Sequence, residues 1–185
     1  YDNKKKIEKI EKIIQKKRKK KKINFKNSKG IFIYGDNFDG MIGLLENFEN
    51  KIDLIYIDPP FNTNSNFYYN EKKTSTISVS KDDIIAYSDK MNFEDYLEFI
   101  RERLVLIKML LSDKGTLYFH IDCKVGHYIK IILDEIFGAD NFINDITRIK
   151  SNPKNFSRKA YGNEKDVIYV YSKKPRKNIF NNILI

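Results

Sequence analysis

The sequence predicts an α/β fold in which a mostly parallel sheet is flanked by helices. Short, near-continuous apolar runs such as Asp53-Leu54-Ile55-Tyr56-Ile57 and residues 116–121 have the texture of strands covered on both faces. Segments with apolar residues three and four apart lie between such runs, so strand and helix alternate along the chain. With 185 residues, 41% hydrophobic and 14% aromatic, one sizeable core can be filled.

Residues 1–29 hold 14 Lys/Arg against Asp2, Glu8 and Glu11, a net of +11, whereas the remaining 21 bases and 22 acids nearly cancel. The basic character therefore belongs to an N-terminal helical appendage, in which Ile7, Ile10, Ile13 and Ile14 form one stripe and residues 16–22 a cationic run. Two readings stand for it. The run grips DNA phosphates by releasing counterions, or the helix is solvated and its stripe docks on the body or a partner. The core spans residues 30–149. Ile31-Phe32-Ile33-Tyr34 is a short apolar run closed by Gly35-Asp36-Asn37, and Met41, Leu44, Leu45 and Phe48 then follow at helical spacing. Two prolines stop the strand at 53–57 abruptly. Residues 61–92, rich in Asn, Ser, Thr and Tyr, read as one long loop, a length usual for functional or mobile segments. Phe93, Tyr96, Leu97, Ile100, Leu104, Ile107 and Leu111 mark a strong helix ended by Lys114-Gly115. A strand at 116–121 and a helix at 124–137, closed by Gly138, come next. Residues 142–149 and 166–171 read as later strands joined by a polar, basic segment at 150–165.

No run approaches the ~18 consecutive apolar residues of a membrane-spanning helix, and the lysine-broken N-terminus lacks a signal-peptide pattern. Cys123 is the only cysteine, which excludes an intrachain disulfide and fits a reducing, cytoplasmic setting. One Cys with His120 and His127 offers no structural metal set.

The chemistry-bearing feature is Asp58-Pro59-Pro60-Phe61. In an open parallel sheet, ligands bind at the carboxyl ends of strands, where Asp58 sits. Two consecutive prolines fix φ and remove two N–H donors, leaving a stiff, acceptor-rich backbone. The Asp58 carboxylate and the Pro59 carbonyl can accept both hydrogens of an exocyclic amine while Phe61 stacks on its ring. This orients and polarises a poor nucleophile for attack on an electrophilic methyl. An amine paired inside a duplex requires its base to be flipped out first.

The string Asp53-Leu54-Ile55-Tyr56-Ile57-Asp58-Pro59-Pro60-Phe61-Asn62-Thr63 resembles the catalytic motif of N6-adenine DNA methyltransferases. It is most like the permuted (beta) class, in which this motif precedes the cofactor loop, and within it the modification subunits of type III restriction–modification systems. Gly35-Asp36-Asn37, Phe67-Tyr68-Tyr69-Asn70, Arg101-Glu102-Arg103-Leu104, Phe119-His120-Ile121-Asp122 and Leu133–Gly138 fit in order, so the resemblance covers about 30–173. It implies a Rossmann-like methyltransferase fold, S-adenosylmethionine as cofactor, DNA as substrate, and a restriction subunit or second modification subunit as partner. Asp58 and Pro59 would hold the target amine, Pro60 would stiffen the turn, and Phe61, usually Tyr in the family, would stack on the flipped base. Asp rather than Ser at 58 favours adenine N6 over cytosine N4.

Asp36 and Asn37 would lie near the cofactor at a second strand end; the competing reading makes Asp36 a helix N-cap. Asn62, Thr63, Lys154, Arg158 and Lys159 would contact DNA, with residues 150–185 opening a target-recognition region or adding core strands; the alternative for 150–165 is a solvated loop. His120 and Asp122 read as structural or groove-lining, because methyl transfer from a sulfonium needs no strong base. The Phe-x-Gly-x-Gly cofactor loop of the family has no match among the eight glycines, so the resemblance is to an N-terminal, incomplete portion of a methyltransferase. Two functions follow: site-specific adenine-N6 methylation within restriction–modification, or a silent methyltransferase-fold fragment acting as a DNA-binding or subunit-interaction module; a third, weaker reading is methylation of RNA or another amino substrate through a similar Asp-Pro-Pro site.

Overall fold

The computed structural model describes residues 5–20, 23, 30–61, 66–69, 84–88, 91–150, 159 and 162–181. In chain order these form α1 (Ile7–Arg18), α2 (Asn37–Phe48), β1 (Ile52–Ile57), β2 (Asn66–Tyr69), β3 (Ile84–Ser88), α3 (Phe93–Leu110), β4 (Leu111–Asp122), α4 (Cys123–Phe137), β5 (Phe142–Ile149) and β6 (Lys165–Ser172), with a 3₁₀ turn at Ala139–Asn141. Among these residues no helix is long and apolar enough to cross a membrane.

Helix boundaries follow local chemistry. Asp36 caps α2 by accepting from the Phe38 and Asp39 amides, Asn92 caps α3 through Glu94 and Asp95, and Asp122 caps α4 through Lys124. At the far end of α4, Gly138 takes φ 96°, which an L side chain would resist. The third helix runs directly into β4 at Leu111, five residues before the strand start read from sequence. Gly115 permits this tight passage: a Cβ there would stand 2.8 Å from the Ile52 carbonyl oxygen.

The main sheet has the order β1-β4-β6-β5. The α/β class stands, but the expected mostly parallel order does not: β1 runs parallel to β4, whereas β4–β6 and β6–β5 are antiparallel. Leu117, Phe119 and Ile121 of β4 and Val167 and Tyr171 of β6 share one face and join the helices in one buried cluster. On the other face, Leu54 is 62% and Tyr56 52% exposed. A strand read as covered on both faces is thus an edge strand, bare on one side among the described residues.

Two further expectations change. The loop read over 61–92 contains β2 and β3, paired antiparallel in a separate two-stranded sheet. Residues 31–34 form no strand, and Phe32 and Tyr34 are exposed. Among the described residues no strand pairs with this β-prone run.

Of the two readings for the isoleucine stripe, docking is what the structure displays. Ile10 and Ile14 are fully buried within the core cluster, against which Ile7 also packs. Flanking ion pairs fasten the helix: Arg18 to Glu49 at 2.8 Å, Lys17 to Asp39 at 3.1 Å, and Lys5 to Glu102. Between α3 and α4, the buried Arg101 guanidinium meets both oxygens of Glu135 and approaches Glu98 at 3.4 Å.

Candidate active site

Because β1 and β4 are parallel, their carboxyl ends lie at one edge of the sheet. Antiparallel β6 begins there, with Asp122 opposite Asp166, and Arg148 near the end of β5 also pairs with Asp166. This edge gathers Asp58-Pro59-Pro60-Phe61 from behind β1, His120 and Asp122 from β4, and Asp166 from β6.

The proline turn is anchored from below. The Tyr96 hydroxyl of α3 donates to the Pro60 carbonyl at 2.8 Å, leaving that bond on Pro60 rather than Pro59. Tyr96 was legible only as one apolar position of a helical stripe. The signal for more was its hydroxyl, which a buried tyrosine has to satisfy. Asp58 projects outward, with 54% of its side chain exposed. Phe61 is half-buried against the core, its ring meeting His120 edge-on at 5.5 Å between centroids.

Beside the turn, on the α2/α3 side, lies a cavity of ≈ 330 Å³ whose lining includes Asp58, Pro59, Pro60, Asn37, Met41 and Arg103. The structure thus brings Asn37 and the Asp-Pro-Pro turn to one space. Asp36 stands just outside it: one carboxylate oxygen caps α2, and the other lies 3.3 Å from Arg103. Its N-cap reading is therefore realised, although residues 30–35 before it form no strand. Arg103 donates to Asn37 Oδ1 at 2.6 Å and to the Phe99 carbonyl, and stacks 3.4 Å over the Phe99 ring. Burial lowers its pKa, against the opposing pull of Asp36 and Glu102. Such apolar walls with a few fixed polar groups suit a small ligand with a flat apolar part and a polar end, such as a nucleoside-based cofactor.

Across the sheet edge, Asp166 is almost fully buried. Lys150 reaches it at 2.8 Å and Arg148 at 3.1 Å, and Lys150 lies 3.3 Å from Asp122. Burial alone would lower the Lys150 pKa; the hydrogen bonds and charges of Asp166 and Asp122 outweigh it and raise the value. Asn163 also donates to Asp122, and the Cys123 thiol contacts Asn163. Asn62, Thr63, Lys154 and Arg158 lie outside the described residues; Lys159 is exposed.

The sheet edge thus carries an acceptor-rich proline turn at a strand end, beside a cavity of ≈ 330 Å³. Comparison with known proteins gives the family. The family model described as "DNA methylase", covering N6 and N4 methyltransferases, matches residues 52–185, and the chain belongs to that family. It is 39% identical over 153 residues to the type II methyltransferase M.EcaI of Enterobacter cloacae, covering 83% of this chain and 31% of that one. It is 33% identical over 158 residues to the probable type III restriction-modification enzyme HindVI Mod subunit of Haemophilus influenzae, covering 84% and 19%. The chain therefore spans about a third or less of these relatives. Among solved structures, the cytosine-N4-specific PvuII DNA methyltransferase aligns with a TM-score of 0.52 at 14% identity, covering 84% of this chain and 53% of that one. That likeness supports the Rossmann-like methyltransferase fold.

Proposed function

We propose that this chain supplies the target-amine half of a DNA adenine-N6 methyltransferase acting in restriction–modification. The supporting observation is the Asp58-Pro59-Pro60-Phe61 turn, held by Tyr96 at the carboxyl end of β1 and open to the adjoining cavity. Asp58 and the Pro59 carbonyl accept the two amine hydrogens of a flipped adenine, and Phe61 stacks on its ring. S-adenosylmethionine, when bound, supplies an electrophilic methyl group. Asn37, with Met41 on the apolar wall, would hold part of it, and Asp36 would act from the rim through Arg103. The exposed Asp58 keeps its carboxylate available to the base, while the rigid turn fixes the angle of approach.

DNA would run past the same sheet edge, contacted by Asn62, Thr63, Lys154, Arg158 and Lys159, with residues 150–185 leading toward target recognition. A restriction subunit or second modification subunit as partner, and a cytoplasmic setting, belong to the same reading. So does the division into a basic segment (1–29), a catalytic core (30–149) and the remainder. The test is transfer of labelled methyl from S-adenosylmethionine to DNA by the full-length enzyme. Asp58→Ala is expected to abolish transfer while leaving the unfolding midpoint within about 0.5 kcal/mol, as for an exposed side chain. Retained transfer, or methyl found on cytosine, refutes the assignment.

A further inference from the structure

His120 is a buried titratable group beside the reactive turn that the proposed chemistry leaves unused. Its imidazole is 7% exposed and stands between two carboxylates. On one side, Nδ1 lies 3.3 Å from Asp58 Oδ1 and 3.1 Å from the Tyr56 hydroxyl. On the other, Nε2 faces Asp166 Oδ2 at 3.5 Å and makes no hydrogen bond among the described residues. The Phe61 ring edge closes a further side. Each ring nitrogen thus has a carboxylate within 3.5 Å, one of them that of the motif. The neighbouring positions Phe119, Ile121 and Ile168 are apolar, so the strand pair had an easy apolar alternative here. An unsatisfied buried nitrogen calls for an explanation, and contacts of this kind are often long until substrate tightens them.

Asp166 is itself well braced, by Lys150 and Arg148, so it is a fixed point rather than a floating charge. The Asp58 side chain is exposed, and among the described residues its neighbour is His120. An imidazole bridging the two carboxylates ties the reactive turn to the rigidity of the sheet. Bridging both carboxylates takes a proton on each ring nitrogen, Nε2–H toward Asp166 and Nδ1–H toward Asp58; with a single proton, one lone pair faces one of the acids.

We propose that His120 is a positioning residue: braced by Asp166, it donates from Nδ1 to Asp58 Oδ1 and leaves Asp58 Oδ2 aimed at the target amine. This rests on the role given to Asp58 above. The experiment compares three variants of the full-length enzyme. In His120→Asn, the amide nitrogen replaces Nδ1–H toward Asp58 without reaching Asp166. The amide of His120→Gln reaches toward Asp166 but places no donor at the Nδ1 position. His120→Phe keeps ring bulk alone. We expect Gln and Phe to lower kcat about 10- to 100-fold, the scale of a misplaced catalytic group. KM for DNA and for S-adenosylmethionine should stay within about twofold, and Asn should recover kcat to within about fivefold of wild type. Equal losses in Asn and Gln, tracking their unfolding midpoints, overturn the proposal, as does wild-type kcat in all three.

Should substitution at 120 prevent folding, nitrogen-15 spectroscopy of the imidazole decides instead. Asp58→Ala, at an exposed site, should move the Nδ1 resonance of His120 and leave His127 unmoved; an unmoved His120 signal overturns the proposal. A wild-type enzyme that methylates no adenine sinks the function assigned to Asp58, whereas an active wild type with indifferent His120 variants sinks only the role of His120.

Discussion

Tyr96→Phe removes one oxygen and nothing else, so its consequences can be worked out closely. The ring stays buried in α3 and leaves no cavity beyond the hydroxyl. What disappears is the 2.8 Å bond to the Pro60 carbonyl. Pro60 is exposed, so its carbonyl can turn to water, and the net loss should sit near the ordinary value of about 0.5–1.5 kcal/mol rather than the larger cost of an orphaned buried acceptor. For a chain of this size that corresponds to a fall in Tm of roughly 2–4 °C per kcal/mol. The effect on chemistry should be larger than the effect on stability. The bond is what ties the rigid Asp-Pro-Pro turn to the helix beneath it, and a shift of about 1 Å at a reacting group can cost as much as 100-fold in rate. We therefore expect kcat for DNA methylation to fall about tenfold or more in the full-length enzyme, with KM for S-adenosylmethionine nearly unchanged. Urea unfolding and steady-state methyl transfer, measured on the same preparation, separate the two effects. A kcat equal to wild type alongside the expected stability loss would refute the claim that Tyr96 sets the position of the turn.

Three other perturbations have defined outcomes. Asp36→Ala should cost about 1 kcal/mol by uncapping α2, whereas Asp36→Asn keeps a capping oxygen and should cost only a few tenths; urea midpoints check both, and equal losses would assign the effect to the Arg103 pair instead. Ile14→Ala in α1 should cost about 2–5 kcal/mol because the side chain is fully buried; a loss under about 1 kcal/mol by urea unfolding would mean that α1 is not part of the cooperative unit. For Lys150 the folded pKa is raised above the ordinary lysine value of 10.5, so its pairing with Asp166 and Asp122 stabilises fully below the unfolded lysine pKa and is lost as pH rises through the folded one. The stability difference between wild type and Lys150→Met should hold constant from neutral pH up to that range and shrink only above it, as followed by urea unfolding across the alkaline limb.

Much of this arrangement was legible in the sequence, for reasons that differ between residues. Helices α3 and α4 were readable because their apolar spacing is long and regular, and Gly138 marks the end of α4 with local chemistry; the Asn92 and Asp122 caps came only with the structure. Asp58-Pro59-Pro60-Phe61 was readable because proline acts on its own backbone, whatever surrounds it. Strand direction was not readable: nothing in residues 165–172 distinguishes a strand that pairs antiparallel from one that pairs parallel, since the apolar pattern is the same for both. Nor was the Tyr96–Pro60 bond, whose partners are 36 residues apart and belong to separate elements. The grouping of His120 with Asp58 and Asp166 likewise depends on a three-strand register that only the folded sheet provides.

The misreading of β1 is informative in its own right. Its sequence, Ile52-Asp53-Leu54-Ile55-Tyr56-Ile57, alternates poorly, and apolar residues occupy both faces. Such a pattern belongs to a strand with cover on each side, yet Leu54 and Tyr56 stand open and no strand flanks β1 on its outer edge among the described residues. An unpaired apolar edge is a site that proteins normally protect, and here it borders the reactive turn directly. Among the described residues, Tyr96 beneath Pro60 and His120 beside Asp58 are the side chains that hold the turn. Whatever orders the outer edge of β1 would stiffen the segment leading into Asp58. In this geometry, changes to the edge strand should appear in the reaction before they appear in the core: Leu54 touches neither the cavity nor the turn, but it sits on the strand that holds both in register.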